Sequence, residues 1–565
     1  MSEKKTGARI LLECLVEEGV DAIFGFPGGA VLDIFDCLGE SRFKFILTRH
    51  EQGAVHAADG YARVSGKTGV CIVTSGPGAT NTVTGIATAC MDSIPLVIIT
   101  GQVPTLLIGN DAFQEADIVG ITRPCTKHNY LVKNIEDLHS TVKEAFYVAR
   151  TGRPGPILVD VPKDVQRVTL STDSHGKARA RKYRLQVRPH AGQIRRAMEA
   201  IRKSNRPVVY AGGGIITSGA SRDLIQFCES LSLPITLTLM GLGGFPGTHP
   251  LFLGMLGMHG TFPANMAVTE CDCLIALGAR FDDRVTGNVA EFAPKAKIIQ
   301  VDIDPSSISK NVPVDIPIVG DVGDVLRRWN RMLDEKDRQK TASLCKEWTE
   351  QIDAWKRSHQ LSYKVNNKGT IKPQFVVEKL YELTRGNAII STEVGQNQMW
   401  TAQFYRFDHP RTILTSGGLG TMGYGFPAAI GAQVAAPDRT VIDIAGDGSI
   451  QMNIQELATA VQHQLPVKVA ILNNGFLGMV RQWQELFYGK RYSHTEMPQL
   501  PDYVKLAEAY NAVGLRATTV KEVEPVIRKA LAEPGPVIMD FLVEQEEGVY
   551  PMVPAGASIR EMLLL

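Results

Sequence analysis

VIDIAGDGSI at 441–450 and VKVAILNN at 467–474 decide how this chain folds. Each opens on a short apolar run rich in β-branched residues and closes on small or amide-bearing ones, the pattern of a buried strand. QMNIQELATAVQ between them is patterned as a helix, expected to open beside Ser449. The first strand delivers Asp447 at its carboxyl end, and the second returns the chain to set Asn474 beside it, 27 positions on. Alone, an aspartate between two glycines reads as an ordinary strand–turn–helix with an Asp cap. With two asparagines at that interval it suits a hard divalent cation, since Mg²⁺ wants oxygen ligands and takes few of them from protein. Gly446 and Gly448 would let backbone approach a ligand, and a diphosphate held on helix amides would complete the metal's shell. The G-x-x-x-x-G-K-[ST] phosphate loop is absent from the chain.

The same strand-and-turn design recurs outward from this pair. VDAIFGFPG, TGVCIVTSGPGATN at 68–81, IPLVIITGQ at 94–102 and GPILVDVP at 155–162 are apolar runs ended by Gly or Pro. Helix-like stretches such as AVHAADGYARVSG and IEDLHSTVKEAFYVA lie between them. That alternation gives an α/β chain with mainly parallel sheets flanked by helices, whose ligands sit at the carboxyl ends of strands. Composition breaks at STDSHGKARARKYRLQVRPH (171–190), read as a solvated linker, and at the polar helical RQKTASLCKEWTEQIDAWKRSHQ divide the chain in three. The expected domains are 1–185, 186–365 and 366–565. The first and third look alike in outline, but their residues are too dissimilar to identify a repeat.

Composition narrows the function classes. Charged residues make up 21% and the formal charge is +1, so no global field draws the chain to nucleic acid or anionic membrane. The basic stretch at 171–190 lacks aromatic interleaving. No window offers 18 uncharged apolar residues, and the N-terminal stretch carries Glu13, Glu17 and Glu18 where a signal peptide would be apolar. Nine scattered cysteines, with Cys271 and Cys273 too close for a metal knuckle, read as reduced core thiols of a cytoplasmic protein.

GDG followed by NN resembles the thiamine-diphosphate signature, and nearly the whole chain resembles the large catalytic subunits of the acetohydroxyacid synthase (acetolactate synthase) family. The likeness is carried by GFPGGA at 25–30, RHEQGAVHAADGYAR at 49–63, TSGPGATN at 74–81 and GQVPTLLIGNDAFQE at 101–115. GARFDDRVTGN at 278–288, GGLGTMGYGFPAAIGAQ at 417–433 and GMVRQWQ at 478–484 complete it. The resemblance implies three domains that bind the pyrimidine of thiamine diphosphate, FAD, and the diphosphate with Mg²⁺. It also implies decarboxylation of pyruvate and ligation of the resulting enamine to pyruvate or 2-oxobutanoate, in branched-chain amino acid biosynthesis.

The site residues follow from the same resemblance. Glu51 matches the glutamate that activates the aminopyrimidine, a base-catalytic task. Asp447, Asn474 and the Phe476 carbonyl would hold Mg²⁺. Pro77, Asn81, Val394, Gly395, Gln396, Asn397, Gly420, Met422, Gly448, Ser449, Leu477 and Gly478 would line thiamine diphosphate, with Met422 beneath the cofactor's bend. Many relatives have histidine at Asn397, whose amide can still donate to a phosphate. Gly29, Phe113, Gln114 and Lys163 match residues near the cofactor or its access channel. On the acceptor side, Arg284 would meet a carboxylate, Trp483 would favour 2-oxobutanoate, and Met479 lies beside them. A non-redox FAD would be held by Arg153, Gly212, Gly213, Gly214, Gly257, Met258, His259, Gly278, Ala279, Arg280, Asp282, Arg284, Asp302 and Asp321, without a Rossmann GxGxxG. Further implications are an obligate homodimer or tetramer with sites at the subunit interface, and a small regulatory subunit. VYPMVPAGASIREMLLL resembles a segment that can close over the site, though its apolar end could equally be packed or disordered. Pyruvate oxidase is the nearest rival, and FDDRVTG with RQWQ argues against it.

Overall fold

The computed structural model describes residues 4–39, 41–171, 188–364 and 369–564. Most of the basic stretch at 171–190 and part of SYKVNNKGTIKP lie outside them. The apolar runs form strands, most of them buried along most of their length. In chain order these are β1 (Lys4–Thr6), β2 (Ala22–Phe26), β3 (Lys44–Leu47), β4 (Gly69–Val73), β5 (Leu96–Gln102), β6 (His128–Leu131), β7 (Pro156–Pro162) and β8 (Thr169–Ser171). Next come β9 (Pro207–Ala211), β10 (Ile235–Leu237), β11 (Phe252–Met255), β12 (Cys273–Leu277), β13 (Lys297–Asp302) and β14 (Ile316–Val319). The last are β15 (Ile389–Thr392), β16 (Ile413–Leu414), β17 (Val441–Gly446), β18 (Lys468–Asn473), β19 (Val513–Ala517) and β20 (Val537–Leu542).

They build three six-stranded parallel sheets, ordered β3-β2-β4-β5-β7-β6, β11-β10-β9-β12-β13-β14 and β16-β15-β17-β18-β20-β19. Only the short β1–β8 ribbon is antiparallel among the described strands. Parallel strands must be joined by crossovers, and helices on both faces explain why β4, β5, β7, β9 and β12 are buried throughout. Counting each sheet from its own first strand, the outer two share one order, 2-1-3-4-6-5, whereas the middle one runs 3-2-1-4-5-6. The likeness of the first and third units is therefore topological, carried by apolar pattern rather than residue identity. The middle order is the dinucleotide-binding one, reached here without its usual glycine fingerprint.

Each sheet places its ligand side at the carboxyl edge, where strand order reverses. The first and third sheets are joined by two helices, Glu51–Ser65 and Gly425–Ala435. They touch backbone to backbone: a Cβ added at Gly60 would lie 2.0 Å from the Ala428 carbonyl oxygen, and one at Gly431 would lie 1.8 Å from that of Ala57. The polar stretch after residue 335 is helical, Glu335–Leu344 and Lys346–Ser358. It is no free linker, because Trp348 is buried with Ile352 and donates to the Pro207 carbonyl at 3.2 Å.

Candidate active site

At the switch point of the third sheet, β15 and β17 run side by side and release their following segments into one crevice. Val394, Gly395, Gln396 and Asn397 follow β15; Asp447, Gly448 and Ser449 follow β17; Asn474, Phe476, Leu477 and Gly478 follow β18. All of them, with Gly420 and Met422, line a single cavity of about 910 Å³. Asp447 is buried and held from two sides, its Oδ2 by the Gly475 N–H at 2.7 Å and its Oδ1 by the Gly448 N–H at 3.1 Å. The Asn474 amide lies in the same crevice, its Nδ2 donating to Gln396 Oε1 at 3.2 Å. Burial pushes the Asp447 carboxyl up to about 7 against those two N–H groups. A buried carboxylate without a cationic partner is what a bound cation would relieve.

The donor set fits Mg²⁺. Among the described residues no group of three or more His, Cys, Asp or Glu side chains could hold a metal. One carboxylate, one amide oxygen and one carbonyl therefore leave the remaining positions to phosphate and water, the arrangement Mg²⁺ favours.

Two local details differ from expectation. No regular helix opens at Ser449: Ile450–Met452 and Ile454–Glu456 are 3₁₀ turns, and the α-helix begins only at Leu457. Asn453 breaks the path, its Nδ2 donating to the Gly423 carbonyl at 2.6 Å. Asn397 does line the cavity, but its Nδ2 donates to the carbonyls of Glu393 (3.0 Å) and Ile444 (2.8 Å). Both amide hydrogens are thus spent inside the protein, so its side chain has none left for a phosphate.

The same cavity continues to the switch point of the middle sheet, between β9 and β12. Here Gly212 and Gly214 meet Gly278 so closely that a Cβ on Gly212 would lie 2.4 Å from the Gly278 carbonyl oxygen. Gly213, Ala279, Arg280, Asp282, Met258, His259, Asp302, Asp321 and Arg153 also line it, whereas Gly257 does not. Arg153 reaches across from the first domain to Asp304 at 3.6 Å. Burial lowers His259 to about 4, so its imidazole is neutral, and it raises Asp302 to about 6. Tyr210 Oη, Trp400 Nε1 and Trp483 Nε1 are buried polar atoms on residues lining this cavity, with no partner among the described residues. The cavity's reach from one switch point to the other, with Arg153, Arg280, Asp302 and Asp321 on its wall, fits a long ligand with polar atoms, as FAD is.

Arg284 and Trp483 come together across two domains. The guanidinium carbon lies 5.7 Å from the centre of the indole ring, in cation–π range, and both residues line the cavity with Met479. Among the described residues, Asp283 at 3.7 Å is the acid that pairs with the exposed Arg284. The fork of donors is free to take a carboxylate while the indole offers an apolar wall. The segment after β20 is packed along this wall. Gln396 donates to the Glu547 carbonyl (2.9 Å), Gln482 exchanges two bonds with Val549 (3.0 and 2.9 Å), and the Val553 N–H meets the Met258 carbonyl (2.8 Å).

The remaining candidates form a separate group at the carboxyl edge of the first sheet, outside the cavity. Gly29 follows β2, Glu51 follows β3, Pro77 and Asn81 follow β4, Phe113 and Gln114 follow β5, and Lys163 follows β7. Asn81 Nδ2 donates to Glu51 Oε2 at 2.9 Å. Phe113 is 88% exposed, so this edge of the chain is open. One chain thus holds its candidates in two separate groups, an edge with Glu51 and a clamp-like crevice around Asp447.

Several buried residues behind these edges were not legible in the sequence. Glu393 accepts from the Gly423 (2.6 Å) and Phe426 (3.1 Å) N–H groups, and Asp443 on β17 is buried beside it. Burial raises both carboxyls, and the Glu393 charge raises Asp443 further. Gln482 ties Gln396 to the C-terminal segment. Nothing in the local pattern separates these side chains from ordinary surface polar residues.

Sheet order, crevice position and donor set suit a three-domain thiamine-diphosphate enzyme. The family descriptions agree: the N-terminal TPP binding domain of thiamine pyrophosphate enzymes matches residues 5–121, the central domain 194–329 and the C-terminal TPP binding domain 393–541. An acetolactate synthase large subunit of Haemophilus influenzae is 50% identical across 100% of this chain and 98% of its own. The isozyme 3 large subunit of Escherichia coli is 49% identical, covering 100% and 99%. A probable acetolactate synthase large subunit of Methanocaldococcus jannaschii is also 49% identical, covering 99% and 95%. The chain belongs to the family of acetolactate synthase large subunits.

Proposed function

We propose that the protein is an acetolactate synthase. It decarboxylates pyruvate and ligates the two-carbon unit to pyruvate or 2-oxobutanoate, giving 2-acetolactate or 2-aceto-2-hydroxybutanoate for branched-chain amino acid biosynthesis. The observation that carries this reading is Arg284 over the Trp483 ring in the cavity that also holds Asp447 and Asn474. Thiamine diphosphate, when bound, supplies the carbon nucleophile that accepts and then stabilises the decarboxylated unit. Asp447, Asn474 and the Phe476 carbonyl would hold Mg²⁺, with Val394–Asn397 and Met422 lining the same cavity for thiamine diphosphate. Glu51 gives and takes a proton at its carboxyl oxygens against the aminopyrimidine ring. Arg284 takes the acceptor's carboxylate, and Trp483 packs on the extra methyl of 2-oxobutanoate.

Glu51 and the clamp lie on different edges of the chain, which supports completion of the site by a second copy in an obligate homodimer or tetramer. FAD fills the middle-domain arm in a structural role, since the ligation transfers no net electrons. The divisions at 185/186 and 365/366 follow the three sheets. We place the protein in the cytoplasm: none of its nine cysteines forms a disulfide, and no described helix is long and apolar enough to cross a membrane. Its likeness to proteins named large subunits supports a small regulatory subunit beside it. The test supplies purified protein with pyruvate, thiamine diphosphate and Mg²⁺, with and without FAD and 2-oxobutanoate, and identifies products. Acetolactate is expected; acetate or acetyl phosphate with oxygen uptake, and no acetolactate, would sink the assignment.

A further inference from the structure

Glu456 lies in the stretch joining Asp447 to Asn474, yet its carboxylate meets the first domain instead of the cavity. It is fully buried. Its Oε1 accepts the N–H groups of Arg49 at 3.0 Å and His50 at 2.9 Å, and its Oε2 accepts Arg49 N–H at 3.1 Å and the Thr459 hydroxyl at 2.6 Å. The neighbouring turn of the same segment continues the grip. His463 Nε2 accepts from the Leu47 N–H at 3.1 Å, Thr459 Oγ1 lies 3.3 Å from the Leu47 carbonyl, and Gln462 Oε1 takes the Arg49 guanidinium.

Residues 48–50 are the whole connection from the end of β3 at Leu47 to the helix Glu51–Ser65, and Glu51 is that helix's first residue. N–H groups at a helix start have no partner within the helix. The two N–H groups directly before Glu51, at the cap and one residue ahead of it, are satisfied by a side chain of the third domain. Contact is tight on the helix side as well, since a Cβ at Gly53 would lie 2.5 Å from Glu456 Oε1. Asn81 fixes the far end of the Glu51 side chain. Backbone and carboxylate of Glu51 are therefore held from opposite sides.

We infer that Glu456 is a positioning residue for Glu51, fixing by its two acceptor oxygens the backbone from which the activating carboxylate projects. This rests on the reading of Glu51 given above. The task is geometric and needs lone pairs rather than charge. Burial raises Glu456 to about 7, and in either protonation state a carboxyl oxygen remains to take the Arg49 and His50 N–H groups. Glutamine offers the same oxygen, and alanine offers none.

The test compares Glu456→Ala, Glu456→Gln, Thr459→Val and Glu51→Gln. In cofactor-free protein, amide hydrogen exchange of residues 47–53 should quicken in Glu456→Ala and return to native in Glu456→Gln. In the holoenzyme with Mg²⁺, exchange of the thiamine diphosphate C2 proton should slow on the order of 10²-fold in Glu456→Ala, the scale of an ångström misplacement. Cofactor affinity should hold, because the clamp is untouched. Glu456→Gln should restore C2 exchange, and Thr459→Val, which loses one donor to Glu456, should show an intermediate rate. Native C2 exchange in Glu456→Ala, or a Gln variant as slow as the Ala one, overturns the proposal. If Glu456→Ala does not fold, native exchange in Thr459→Val does so. Slow exchange in Glu51→Gln beside native exchange in Glu456→Ala removes only the role of Glu456. Native exchange in Glu51→Gln removes the Glu51 reading and this proposal with it.

Discussion

Trp483 offers its ring to the acceptor with the indole nitrogen unpartnered, so selectivity there is a packing term. A single methylene in an apolar pocket is worth about 1–3 kcal/mol. Trp483→Leu should therefore lower the preference for 2-oxobutanoate over pyruvate about tenfold, read as the product ratio in mixed-substrate assays. Asp443 makes a different prediction. Neither of its oxygens has a partner among the described residues, and both it and Glu393 are raised by burial. The folded chain keeps protons there that the unfolded chain gives up in the ordinary carboxyl range, near pH ~4. Their contribution to stability is full below that range and is lost as pH rises through about 7 for Glu393. Asp443→Asn should flatten the fall of Tm between about pH 5 and pH 8; a Tm profile parallel to the native one would oppose the assignment. Sequence told these residues apart unevenly. Asp447 and Asn474 were legible because a fixed interval between two strand ends is a spatial statement. Asp443, three residues from a glycine turn, was not, because the string VIDI shows a strand but not what lies against its aspartate.

Strands and helices follow the apolar pattern closely, since a parallel sheet with two covered faces has little freedom in what it can bury. The pattern misled at the start of the helix after Asp447, where the Asn453 bond to Gly423 turns the chain into two 3₁₀ segments. A side chain that prefers the backbone of another segment leaves no periodic trace. The close pair of helices Glu51–Ser65 and Gly425–Ala435 is an element-scale constraint. Adding one methyl at Gly431 drives it into the Ala57 carbonyl. Gly431→Ala should destabilise the fold by about 1–3 kcal/mol, the usual cost of overpacking, measured by denaturant unfolding. It should also disturb cofactor activation, because the displaced helix begins with Glu51.

For the molecule as a whole, three units were visible in composition breaks, but the shared strand order of the outer two was not, because topology is not written in residue identity. The middle sheet shows the converse: its dinucleotide-binding order appears without the usual glycine motif, and its two strand ends meet instead at Gly212 and Gly278. The two half-sites of one chain carry a consequence for inheritance and dosage. A chain crippled at Glu51 and a chain crippled at Asp447 damage opposite halves, so they can rescue each other. Random pairing of equal amounts of inactive Glu51→Gln and Asp447→Asn chains makes half the dimers mixed, each with one sound site, and should return about a quarter of native activity. Zero recovery after demonstrated subunit exchange would mean that each chain completes its own site. By the same logic either variant, expressed in equal amount beside the normal chain, leaves half the sites sound, in proportion to the normal chains present, and so does not poison its partner.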